Sequence, residues 1–512
     1  MSVDLLARGQ PLETRADVCV IGSGGGGAVV AAELAEAGRD VVVLEQGHHW
    51  TSRDFTQREE EMLPRLFEEG GMRQTEDGAV TILQGRNVGG STVHNLCYCF
   101  RTPEPILRLW REEHGLVGLT PEALAPSFER VEHHLGVKPI TEGELNALNR
   151  IVRRGTEALG YSGLVARHNR EGCIGAGYCI LGCSYDAKQS MLVTYVPRAE
   201  AAGARIFASA RAERLEAEGG RIRRVLGHAV DGAGRPGVPL RVEAPVVVLA
   251  AGAIASPDLL LRSGLANASG LVGENLHLHP SVIAAGVFEE PVHAYRGIPQ
   301  SYYVDEFIDL ERDPRSGFVL MPIAGFPVLQ ASNLPGFGRE HFHWMRRFAH
   351  QAGLLALLHD QSRGSVRPGP SLGRPRIRYQ LEDADAAALA RGLARCAEVL
   401  LAAGAQEVVL PYSDGPEVLR PGADLAAVER RGVRAGSIPL ASAHPQSTCA
   451  MGADPARSVV GPFGESHDVR GLFVADMSVF PTSLGAPPQI TTAALADRTA
   501  HHILERFDEL AG

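Results

Sequence analysis

The chain has 512 residues, of which 45% are apolar and 21% charged, and it carries a net charge of −10 at pH 7. That length exceeds one simple core and predicts two structural domains in a large globular protein. The acidic balance and the lack of any basic run argue against a nucleic-acid partner, and no apolar run is long enough to span a bilayer. The opening MSVDLLARGQPLETR has no charged segment followed by an apolar stretch, so no secretory signal is expected and cytoplasmic residence is the default. In that compartment the eight cysteines are expected as thiols or metal ligands rather than as a disulfide framework.

The first element in the chain is CVIGSGGGGAVVAAELAEAGRDVVVLEQG, from Cys19 to Gly47, which predicts a strand, a glycine-rich turn, a helix and a second strand. Gly22 lets the chain turn sharply, Gly24 lets the backbone approach a pyrophosphate, and Gly27 lets the helix pack close to the sheet. Phosphates would then meet free N–H groups at the positive end of the helix dipole. Glu45 follows the strand Val41–Leu44, where a carboxylate can accept hydrogen bonds from a ribose diol. Taken alone, this unit fits an NAD-dependent dehydrogenase or a nonenzymatic redox module as well as a flavoenzyme. Two later blocks of the same character, Ala244–Gly264 with its small-residue turn at Ala251 and Gly471–Ile503 with a strand ending at Asp476, predict one dinucleotide-binding domain interrupted by another.

Between these blocks lie GRNVGGSTVHN, whose glycines permit close backbone approach, and then Cys97 and Cys99 at alternating positions. Next comes CIGAGYCILGC, with Cys173, Cys179 and Cys183. Three thiolates so spaced could hold an iron–sulfur cluster; buried thiols, a disulfide or a zinc site completed from elsewhere also fit, although C-x5-C-x3-C is not a standard zinc spacing. His277 and His279 in NLHLHP alternate and could share a strand face. The stretch from Pro291 to Ser437 is punctuated by Pro, Arg, His and aromatics and reads as a substrate-shaping cap. Its portion from Phe307 to Phe348 suggests an apolar pocket or a surface that meets a membrane or partner.

The order of blocks resembles the glucose-methanol-choline (GMC) oxidoreductases, through GSGGGGA and LEQG, GRNVGGSTVHN, GENLHLHP and HPQSTCAMG. Within that family LHLHP, the cysteine-bearing segment before AKQS, and GLFVADMSVFPT are most similar to the long-chain (fatty) alcohol oxidase branch, with cholesterol-oxidase-like members nearby. The resemblance covers nearly the whole chain. It implies an α/β fold in which a three-layer, Rossmann-like FAD-binding domain (1–100, 200–290 and 438–512) is interrupted by a connecting segment (101–199) and a substrate-binding domain (291–437) with a mixed or antiparallel sheet. It also implies hydride transfer from the CH–OH group of an apolar alcohol to FAD, with oxygen or another acceptor reoxidising the flavin.

The same resemblance assigns residues. Gly22, Gly24, Gly27, Glu45, Gly89, Gly90, Ser91, Thr92, His94, Asn95, Ala251, Asp476 and Pro488 are expected at the FAD. His94 stands where some members bond the flavin covalently and others only pack against it. His444 matches the family's catalytic histidine, and imidazole is suited to take a hydroxyl proton near neutral pH. The family's second catalytic residue, Asn or His, is replaced: Gly485 to Pro488 read GAPP, and Pro487 has neither a side-chain donor nor an N–H. Gln489 is expected to supply a carboxamide instead. If nothing replaces the lost group, the site would run on His444 alone, or the same fold would run a changed reaction, such as C=C dehydrogenation or isomerisation. The cysteine spacing resembles that of a three-iron cluster in some bacterial sugar dehydrogenases of the family, and the family places His279 on the cofactor side with no metal.

Overall fold

The computed structural model describes residues 2–334 and 336–512. A six-stranded parallel sheet runs in the order Val3–Asp4, Arg205–Ala208, Val41–Leu44, Val18–Ile21, Val246–Leu249, Leu472–Val474. Its four last-named strands are buried on both faces, which is why VVVL, VCVI, VVVL and LFV are unbroken apolar runs rather than alternating ones. Helices Gly27–Glu36, Tyr195–Ala201 and Gln489–Ala511 pack together as a second layer. A four-stranded sheet, ordered Ala210–Glu218, Arg221–Val230, Pro236–Glu243, Leu12–Arg15, supplies the third.

Three separated stretches of chain meet at the glycine-rich turn. Gly22 leaves its strand at φ 100°, and a Cβ there would lie 2.3 Å from the carbonyl oxygen of Ala250. A Cβ on Gly27 would lie 2.0 Å from the oxygen of Gly22 itself, so the helix sits as close to the turn as backbone allows. Gly26, to which the sequence motif gives no role, is tighter still: its Cβ would meet the oxygen of Ala475 at 1.7 Å.

The second large sheet is mixed. Phe318–Ile323, Gln351–Leu358, Ser281–Val287, Glu407–Leu410 and Glu417–Leu419 are antiparallel neighbours. Leu440–Ser442 joins at Ser281 and pairs in parallel with Val80–Ile82. Ser281–Val287, Val80–Ile82 and Leu440–Ser442 thus enter this sheet from the ranges expected to form the FAD-binding domain, because the chain crosses from one sheet to the other at these points. Alternate residues separate the two faces. Val282, Ala284, Leu354, Ala356, Leu358 and Leu320 pack in one core with helix Asp383–Ala402, while Ile283, Ala285, Met321, Ile323, Leu355 and Leu357 face a cavity.

Among the described residues no helix is long and apolar enough to cross a membrane. Substituting Gly26→Ala drives a methyl group into a backbone carbonyl that belongs to another strand. The expected cost is about 3 kcal/mol or more, read as a lowered thermal midpoint of the apoprotein.

Candidate active site

The cavity, about 510 Å3 in volume, lies between the two large sheets. Gly22, Gly24, Glu45, Gly90, Ser91, Thr92, His94, Asn95, Ala251 and Asp476 line one part of it, and His444, Pro487, Pro488 and Gln489 another. Gly27 and Gly89 stand behind the wall. Gly89 forms a turn at φ 93° and donates its N–H to Ser23 Oγ at 3.1 Å. Ser23, inside the glycine motif but given no role by it, also donates its hydroxyl to Glu45 at 2.7 Å and so ties the turn to the segment around Gly90.

Two buried carboxylates organise this part of the cavity. Glu45 accepts from the N–H groups of Ser23 at 3.1 Å and Gly47 at 2.8 Å as well as from the Ser23 hydroxyl. Since a carboxylate offers about four acceptor positions, room remains for a ribose hydroxyl. Asp476 accepts from Gly252 N–H at 2.8 Å, Ser256 Oγ at 2.5 Å and Ser478 N–H at 2.8 Å, clamping the second block of the domain to the third. Burial pushes both acids above their ordinary range, and these donors oppose it.

His94 is buried against Phe67, with ring centroids 3.9 Å apart, and its Nε2 has no hydrogen-bond partner. Burial lowers the imidazole to about 3, and Lys188 adds to the effect. Lys188 is itself buried and donates to the carbonyls of Val93, Asn95 and Cys179 at 2.8, 2.7 and 2.6 Å, which fixes the loop carrying His94. Sequence reading missed it, although it is one of only two lysines in an arginine-rich chain.

His444 and His279 are brought together by backbone pairing. The HLHP and HPQS segments exchange hydrogen bonds between His277 and Gln446, at 3.1 and 2.9 Å, and Ser281 pairs with Ala441. The result places Nδ1 of His444 3.3 Å from Nδ1 of His279. His279 is fully buried behind the wall, and its Nε2 accepts the N–H of Gly485 at 3.2 Å. Burial pushes His444 down to about 4, with Asp360 opposing, so the ring is neutral at pH 7. Asp360 anchors this corner by accepting from the N–H groups of Leu278 and His279 and the hydroxyls of Tyr379 and Ser483. Burial pushes its carboxyl up, but His277, His279 and the Leu278 N–H hold it well below the usual range. His277 and His279 therefore serve Asp360 and His444.

Gln489 does not take the place of the lost asparagine. Its Oε1 accepts from Asn95 at 2.6 Å, and its Nε2 donates to Tyr98 O at 2.7 Å and Asn169 Oδ1 at 3.1 Å, with Cys99 Sγ at 3.4 Å. Both amide protons are spent on protein because the helix Gln489–Ala511 starts here and points its first side chain back at the Asn95–Cys99 strip. Its role is to hold Asn95.

Of the cysteines, Cys97 is buried at φ 68° on the cavity wall and contacts the thiol of Cys179. That contact pulls the Cys179 thiol down, against burial, and pushes Cys97 up. Cys173 Sγ accepts from Gly175 N–H at 3.5 Å. Among the described residues, the ligand atoms gathered closely enough for a single metal ion are those of Glu33, Asp497 and His501, remote from the three cysteines in the chain, and two of these are ion-paired to Arg198 and Arg130.

The GMC oxidoreductase family description matches residues 63–281 and 360–496, and an NAD(P)-binding Rossmann-like domain matches 20–73. An uncharacterized GMC-type oxidoreductase of Mycobacterium tuberculosis is 36% identical over 96% of this chain and 76% of its own length. The chain belongs to the GMC oxidoreductase family. A long-chain-alcohol oxidase of Arabidopsis thaliana is 31% identical over 95% of this GMC oxidoreductase and 68% of its own length. Pyridoxine 4-oxidase from Mesorbium loti shares the fold, with a TM-score of 0.69 at 21% identity over 96% of this chain and 99% of that one.

This GMC oxidoreductase is an FAD-dependent enzyme, and the cavity fits that group. A Cβ on Gly90 would lie 2.8 Å from Gly24 Cα, so the two glycines form a cradle without side chains, and His94, whose Nε2 is buried without a partner, lines the same cavity. Gly24→Ala, with nothing nearer than 3.8 Å to its new methyl group, is expected to keep its thermal midpoint as apoprotein but lose bound flavin, read from the visible spectrum after purification.

Nine histidines are held below the ordinary 6.5, in each case first by burial, among them His94 at about 3 and His168, His359 and His444 at about 4. Between pH 6.5 and about 4 the unfolded chain binds more protons than the folded one, so these groups' stability is full above pH 6.5 and is lost as pH falls. The thermal midpoint of the apoprotein is expected to drop across that window.

Proposed function

We propose that this flavoenzyme oxidises the CH–OH group of an apolar alcohol, long-chain, cyclic or sterol-like, to a carbonyl. The observation that carries the reading is the pairing, in one cavity, of a neutral His444 with a wall made by one apolar face of the mixed sheet. The long-chain-alcohol oxidase relative supports the same substrate class. When bound, FAD supplies the hydride acceptor. Gly24, Gly90, Glu45 and Asp476 would hold it, and His94 would pack beside it without a covalent bond. Met321, Ile323, Leu355 and Leu357 exclude water and seat the substrate's apolar body. His444 engages the substrate oxygen and takes its proton as the hydride leaves. Oxygen or another acceptor would be the second substrate that takes up the electrons. Val328, Phe337 and Phe342, exposed on the segment after Phe318–Ile323, support peripheral contact with an apolar phase as the source of substrate.

A second reading, C=C dehydrogenation or isomerisation on the same cofactor, is favoured by one observation: Pro487 lines the cavity and Gln489 has no free donor. Anaerobic spectra separate the two. Primary or secondary apolar alcohols are expected to bleach the flavin band, and His444→Ala to slow bleaching about 10²- to 10⁴-fold with flavin retained. A band unchanged by every alcohol would reject the first reading. Acid precipitation of the holoenzyme is expected to leave the yellow colour in the supernatant; colour in the pellet would establish a covalent bond, which His94→Ala would abolish.

A further inference from the structure

The ring of His279 makes two hydrogen bonds among the described residues, one at each nitrogen, and their polarity is fixed from one end. A backbone N–H can only donate, so Nε2 of His279 accepts from Gly485 and carries no proton. A neutral imidazole has one N–H, so the proton of His279 sits on Nδ1, which faces Nδ1 of His444. His444 must therefore accept at Nδ1 and carry its own proton on Nε2, the nitrogen left for the cavity it lines. No other charged group breaks this order: Asp360 is occupied by the N–H groups of Leu278 and His279 and by Tyr379 and Ser483, His359 uses Nε2 on Ser483 O, and His277 Nδ1 lies 3.7 Å from Asp360.

We propose that His279 is a positioning residue through which the loop Gly485–Pro488 sets the proton on His444, holding its cavity-facing nitrogen as an N–H donor until Gly485 releases His279. The inference rests on the reading of His444 as the proton acceptor, and it deepens that reading. While Gly485 is in place, a His444 protonated on both nitrogens would set N–H against N–H at His279, so His444 cannot hold a substrate proton. When Gly485 moves away, His444 gives up the Nε2 proton to cavity water and gains one on Nδ1 from His279. His279 gains one on Nε2 from the water that replaces Gly485, and the exchange conserves protons. His444 then shows the cavity a lone pair. Pro487 and Pro488 line the cavity, so a molecule bound there would touch the same loop, which begins at Gly485 with φ 71°. The loop that lost its asparagine thus acts on the histidine from behind rather than on the substrate.

The test uses holoenzyme labelled with ¹⁵N-histidine, with the His444 resonances assigned by their loss in His444→Asn. Without substrate, His444 is expected with Nε2 protonated and Nδ1 bare near pH 7.5. The reverse tautomer would overturn the proposal whether or not any alcohol bleaches the flavin. Conversely, the expected tautomer together with flavin inert to alcohols would leave the proposal standing and reject the alcohol-oxidation reading alone. His279→Leu is expected to shift the acid limb of the anaerobic reduction rate toward pH 6.5 by at least one pH unit. His279→Asn, whose amide can still donate to His444, is expected to restore the original limb. A His279→Leu protein with reduced thermal stability but an unmoved limb would reduce His279 to a packing role and refute the proposal.

Discussion

The structure depends on backbone touching backbone at the glycine-rich turn. Gly22 against Ala250 and Gly26 against Ala475 bring the first strand's exit into contact with the ends of two strands more than two hundred residues away. Those contacts tolerate no side chain, so the parallel sheet closes in one register. In that register Asp476 reaches the first N–H of helix Gly252–Ser263, and Glu45 reaches back to Ser23. The carboxylates are buried because the sheet is closed, and each stays satisfied because the turn delivers its donors. A cofactor cradle follows from packing that has already been specified for the fold.

The corner that holds His444 and His279 follows from a second seam. Leu440–Ser442 pairs with both Ser281 and Val80–Ile82, so the strand ahead of His444 is held by two stretches of chain at once. The HLHP and HPQS segments continue that seam as a short backbone ladder, and the two histidines meet because their segments do. Asp360 completes the corner from a third direction. Its four hydrogen-bond donors come from three stretches of chain, which is how a full negative charge persists in a buried place.

Much of this was legible in the sequence, for identifiable reasons. The dinucleotide turn is encoded by local glycine spacing, and the four buried strands by their unbroken apolar runs. His444 and the cavity-lining members of GGSTVHN were found from ordered motifs. What escaped is what depends on distance in space. Gly26 matters only because Ala475 lies above it, and Lys188 only because three carbonyls converge on its ammonium group. Gln489 has a side chain suited to a substrate, yet its amide is consumed by Asn95, Tyr98 and Asn169, none of which lies near it in sequence. The role of His279 was hidden for the same reason: its partner is 165 residues away.

The mixed sheet separates two kinds of selection by parity. Along Ser281–Val287 and Gln351–Leu358, one set of alternate side chains packs on helix Asp383–Ala402 and the other set borders the cavity. Because neighbours in sequence point in opposite directions, a change at Ile283 or Leu355 alters the shape offered to a ligand while leaving Val282 or Leu354 and their helix contacts in place. Within a single strand, the chain can thus drift in what it accepts without drifting in how firmly it folds. A lineage carrying this sheet would diversify its substrates through every second residue.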